Sequence, residues 1–175
     1  MRTVTKSLAL ATALIAAGAA APAQTTAHQG APDPHVFHSP MVLETPLPDL
    51  TKLRPGQGMA VSSDVPQYVC DDASLGAIRV EALAPSRRES GKRVLEFSDT
   101  VHVAKSHDRL IDITMAVKHG ETVLARGSVK SLSVEEEDTR PFRIRVVMDP
   151  SEVTQAYASE PRPSLEITVV VRDNN

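Results

Sequence analysis

Cysteine occurs once in these 175 residues, tryptophan never, and aromatic side chains are confined to two tyrosines and three phenylalanines. A lone cysteine, Cys70, excludes an intramolecular disulfide, so the fold must be held by its core. Cys70 follows Tyr68-Val69 and precedes Asp71-Asp72. Adjacent carboxylates disfavour a thiolate, which argues against an activated nucleophile. The first reading of Cys70 is therefore a small buried apolar side chain, with pairing to a second chain, and so a dimer, as the alternative. The scarcity of rings argues against a sugar-binding face, where aromatic side chains would stack on the ligand.

Clustered positive charge is also missing. The chain holds 19 Lys and Arg against 22 Asp and Glu, and no basic run is longer than Arg87-Arg88. Phosphate neutralisation needs clustered cations, so nucleic acid is an unsuitable partner. Long apolar runs are absent too, apart from one near the start. Met1 to Lys6 carries two cations, Ser7 to Ala17 carries no charge, and Ala21-Pro22-Ala23 supplies small residues for a cleavage site. That order of regions predicts a cleaved signal peptide over residues 1–23, with Gln24 as the mature start and a second acceptable cut after Ala27. The apolar stretch is shorter than the roughly 20 residues that span a bilayer, and no later segment is apolar for longer. No cysteine stands at either cut to carry a lipid. The expected location is periplasmic or secreted. Losing Arg2 and Lys6 with the leader takes the basic count from 19 to 17 against 22 acids, a net charge near −5.

Proline is concentrated early, at Pro32, Pro34, Pro40, Pro46, Pro48 and Pro55. Each fixes φ and removes a donor, so residues 24–58 read as an extended, partly disordered tail, with Met41-Val42-Leu43 and Pro46-Leu47-Pro48 apolar enough to lie against the rest. From Met59 the pattern turns to alternation of period two, the mark of half-buried strands. Ile78, Val80 and Ala82 share one face, and so do Leu95, Phe97, Val101 and Val103, with Asp99 interrupting as an expected bend or bulge. Ile111, Ile113, Met115 and Val117 alternate inward, His119-Gly120 turns the chain, and Val123, Ala125 and Val129 return. The parity then switches to Leu132 and Val134, which predicts a bulge near Lys130-Ser131. Phe142, Ile144, Val146 and Met148 form another inward row, and Leu165, Ile167, Val169 and Val171 the last. Between them Asp149-Pro150-Ser151-Glu152 has the order of a helix start, Asp capping and Pro first, so a short helical turn is expected near 150–157.

The expected fold is all-β: an immunoglobulin-like two-sheet sandwich of about seven or eight strands filling residues 59–175, with a small closed barrel as the alternative.

The residues that could carry chemistry are few. His28, His35 and His38 lie in the tail with Met41 close behind, and imidazoles on a flexible chain can wrap copper or zinc. If the cut falls after Ala27, His28 offers both its amine and its ring. The histidines of the β region are His102, His107 and His119. Ser106-His107-Asp108 has the composition of a hydrolase triad, but a triad is defined by geometry, and no Gly-x-Ser-x-Gly turn accompanies it. The run from Ser86 to Arg93 brings Arg87, Arg88, Lys92 and Arg93 beside one acid, Glu89, and could meet an anionic partner. The acidic run Glu135 to Asp138 lacks the spaced ligands and glycine of a calcium loop and reads as protection for a strand edge.

Export, a sandwich pattern and no catalytic set lead to the expectation of a non-enzymatic interaction or accessory domain of the cell envelope, needing no cofactor and meeting a protein or another envelope component. The alternative is a periplasmic metal-binding protein using His28, His35 and His38.

Overall fold

A computed structural model describes residues 41–62, 67–70, 73–104 and 109–173, of which 67–70 and 173 are described by backbone alone. The strands are β1 (Met41–Pro46), β2 (Gly58–Ala60), β3 (Gln67–Cys70), β4 (Ala73–Leu75), β5 (Arg79–Leu83), β6 (Arg93–Val103), β7 (Arg109–His119), β8 (Thr122–Val134), β9 (Thr139–Met148) and β10 (Ser164–Asp173). The one α-helix among the described residues is α1 (Pro150–Tyr157). No helix among them is long and apolar enough to cross a membrane.

Two antiparallel sheets pack face to face, and they do not close into a barrel. The first has the order β1-β10-β7-β8. In the second, β9 follows one edge of β6 from Arg93 to His102, so β4 and β5, which also pair with β6, must share its other edge end to end. β3 then pairs with β4 and β2 with β5. The second sheet thus holds six strand segments in four positions, the two positions beyond β6 on the side away from β9 being interrupted at matching levels. The expected sandwich is correct, and the strand count exceeds expectation because two strand positions are each split. The inward rows read from alternation on β7, β9 and β10 are all buried, and they meet Leu75, Val80, Leu95 and Phe97 from the other sheet in one continuous core.

The sandwich begins before residue 59. Residues 41–58, assigned from sequence to a loose tail, contribute a full strand, β1, paired along its six residues with β10 from Met41↔Val169 to Pro46↔Ser164. Met41 and Leu43 turn toward the core while Val42 and Glu44 face out. Proline is tolerated because Pro46 ends an edge strand, where a missing donor breaks no interior ladder. The next residues make a 3-10 turn at Leu50–Lys52, capped by Asp49, whose carboxylate accepts from the Thr51 N–H. Leu47, Leu50 and Leu53 are buried, and burying each leucine stabilises by about 1.5–3 kcal/mol. The Arg93 guanidinium donates to the Leu50 and Leu53 carbonyls, and the Tyr157 hydroxyl to the Pro48 carbonyl at 2.6 Å. Burial pushes the Tyr157 phenol up to about 12. Residues 24–40 lie outside the described residues.

The local signals were reliable elsewhere. Gly120, at φ 56°, turns β7 into β8. The parity switch is a bulge: Ile111 pairs with Leu132 but Ile113 with Val129, and Ser131 takes φ 52°. Asp112 opposite accepts the Ser131 N–H at 2.7 Å and meets Arg172 at 2.6 Å. Burial pushes its carboxyl up, but these partners outweigh that and hold it below the usual range. A second bulge, between the pairs Val117↔Ala125 and Lys118↔Val123, turns Val123 outward instead of inward. The helix starts as read: Asp149 accepts from the Ser151 N–H at 3.0 Å and Pro150 takes the first turn.

Candidate functional site

Asp99 does not bend its strand. β6 stays paired with β9 on both sides of it, Ser98↔Arg143 and Thr100↔Pro141, and Asp99 keeps the inward parity of Phe97 and Val101. A carboxyl group in a core row needs space, and the neighbouring strand gives way: β4 stops at Leu75 and β5 starts at Arg79. The Gly76 N–H donates to the Thr100 carbonyl at 3.1 Å. A methyl group on Gly76 would lie 2.8 Å from Asp99 Oδ1 and 3.0 Å from Thr100 Oγ1, so a larger residue would require those side chains to move. Beyond the break the Ile78 N–H donates to Ser62 Oγ at 2.9 Å, and the Ile78 carbonyl accepts from Val61 at 2.8 Å.

Asp99 is only 9% exposed. Its Oδ1 accepts the Thr100 N–H at 2.6 Å, whereas Oδ2 has no hydrogen-bond partner among the described residues. Burial pushes the carboxyl up to about 6, against the pull of the Thr100 and Gly76 N–H groups. Above the break lies an open hollow of about 310 Å³ that Asp99, Ser98 and Thr100 line together with Arg79 and Arg143. The two arginines flank Ser98 at one level, Arg79 on β5 and Arg143 on β9. Arg143 reaches Glu96 Oε1 at 3.4 Å, and Arg79 has no ion pair among the described residues.

Most of the residues singled out from sequence fall in segments that are not described. His28, His35 and His38 lie outside the described residues, as do Ser106, His107 and Asp108. Cys70 ends β3 opposite Ala73, with its side chain undescribed. His102 sits on β6 with Nδ1 3.0 Å from Thr139 Oγ1. His119 lines a hollow of about 230 Å³ with Glu152 and Ser159, its Nε2 3.4 Å from Ser159 Oγ. The Ser159 hydroxyl donates to the Gln155 carbonyl at 3.1 Å, so toward His119 it is an acceptor. That is the reverse of a base drawing a proton from a nucleophile. Among the described residues no three His, Cys, Asp or Glu side chains stand close enough to hold a metal ion.

Half of the cationic loop is structural. Arg93 holds the Leu50–Leu53 turn, and Lys92 meets Asp149 at 3.0 Å. Glu89 closes a capping box with Ser86 and receives Arg145 at 2.6 Å, which leaves Arg87 and Arg88 as the outward cations. The acidic run is a turn tied to β9, with Arg140 reaching Asp138 at 2.8 Å and Glu135 at 3.5 Å. No protein-family model matches this chain, and no curated protein matches it.

The hollow at the strand break escaped sequence reasoning. Its signal was present in Asp99, a carboxylate at the parity of four core residues, two positions from Phe97 and from Val101. What alternation cannot show is that Arg79 and Arg143, far apart in sequence, stand at one level on either side of Ser98.

Proposed function

We propose that this chain is a non-catalytic interaction or accessory domain exported to the cell envelope. The signal-like leader supports the compartment, and the sandwich supports recognition through an edge or face. The observation that carries most weight is the rim of the first sheet. β1 pairs with β10 on one side and with no strand on the other among the described residues. Its register runs without a bulge, it contains no lysine, and Val42 on it is 58% exposed. Natural edges are commonly blunted by charged side chains, proline, bulges or inward charges; β1 carries of these only Glu44 and its terminal Pro46, so most of its length can template an added strand, with backbone hydrogen bonds giving affinity and alternate side chains giving selectivity.

A photo-crosslinking residue at Val42, compared with the same residue at Val123 on β8, tests this in the exporting cell. The expected result is a discrete adduct with an envelope component from position 42 and none from 123. Equal labelling from both positions, or none from either, would overturn it.

A further inference from the structure

The hollow at the β4–β5 break has two signs of charge. Its rim carries two guanidinium groups from different strands, Arg79 without an ion pair among the described residues and Arg143 75% exposed with only a 3.4 Å contact to Glu96. Beneath it lies Asp99, whose Oδ2 is buried and has no hydrogen-bond partner among the described residues. Gly76 and Ala77 put nothing larger than a methyl group beside that carboxyl, and Ser98 and Thr100 add hydroxyls that can donate or accept. The volume, about 310 Å³, suits a small polar group.

A guanidinium fork matches the oxygens of a carboxylate or phosphate, and an unpartnered carboxylate calls for a charged N–H donor. A plain anion would meet Asp99 below and Glu96 at the side. A plain cation would meet two arginines. Only a ligand with both signs a few bonds apart is complementary to the whole hollow. We infer that this hollow binds a small zwitterionic group, its oxyanion held by Arg79 and Arg143 and its ammonium group drawn to Asp99. An amino acid and a phosphoethanolamine headgroup share that chemistry. The inference stands apart from the edge reading of β1, since neither element contributes to the other.

Calorimetric titration of the full mature chain with O-phosphoethanolamine, β-alanine, inorganic phosphate and ethanolamine tests it. At least one zwitterion is expected to bind about tenfold or more tighter than either singly charged compound; tighter binding of O-phosphoethanolamine points to a headgroup, of β-alanine to an amino acid. Asp99→Asn should bring the zwitterion down to the affinity of its anion alone, and Arg79→Gln with Arg143→Gln should abolish binding. Both arginines are surface changes, so the test stands even if Asp99→Asn folds poorly. Zwitterions binding no tighter than phosphate or ethanolamine, or binding that survives loss of both arginines, would overturn the inference.

Discussion

Asp99 ties a residue's burial to the pH dependence of the whole domain. Its carboxyl ionises near 6 in the fold against an ordinary 3.8. The native chain therefore holds this proton more tightly than the unfolded chain does. Its contribution is greatest below about pH 4, declines as pH rises to about 6, and is constant above. Asp112 and Asp149 act in the opposite sense at lower pH. Asp149 is held down to about 2 by the Ser151 hydroxyl and by Lys92, so their stabilisation is lost as pH falls below the ordinary carboxylate range. Asp99→Asn should raise the melting temperature at pH 8 and flatten its slope between pH 4 and 6, leaving the acid limb unchanged. A thermal scan across pH checks this, and an unchanged slope in that window would show that another group sets it. A second residue-scale prediction concerns Gly127. A methyl group there would stand 2.6 Å from the Arg145 carbonyl oxygen and 2.6 Å from Ile144 Cγ2, where β8 crosses β9. Gly127→Ala should cost about 1–3 kcal/mol in urea unfolding.

Elements were legible where their signals are local. The β7–β8 hairpin, the Ser131 bulge and the helix at Pro150 each follow from a few adjacent residues: a glycine after a polar residue, a change of parity, an aspartate before a proline. β1 was illegible because its alternation spans only six residues between prolines, and strand formation there depends on β10, more than a hundred residues away. The break between β4 and β5 was displaced onto the wrong strand. Asp99 marked the right level, but a buried carboxyl can be accommodated by the strand that carries it or by its neighbour, and Gly76 decides for the neighbour. These assignments set the limits of truncation. Deleting 24–58 removes β1 and three buried leucines and should give no cooperative transition. Leu50→Ala alone should cost about 2–5 kcal/mol, measured in the same assay.

At the scale of the molecule the sandwich has two unlike sides. On one, β8 and β9 approach through Gly127 without forming a ladder between the sheets. On the other, β1 and β2 are rims, and the leucines of residues 47–53 bridge between them in the chain. The candidate site belongs to neither rim. It lies where three strand positions of the second sheet meet, which is why no single stretch of sequence announces it.

The end-to-end pairing of β4 and β5 also has a dynamic consequence. β6 and β9 run through both halves of the second sheet as a splint, whereas the strands outside them are jointed. A jointed sheet can open one half while the other stays closed, so the β3–β4 flap and the β2–β5 flap are separate units of local unfolding. Amide exchange should release Ala73–Leu75 earlier than Arg79–Leu83, with β6 retaining the slowest amides of the sheet. Equal protection on both sides of Gly76 would mean that the break is a join in geometry only, rigid in motion.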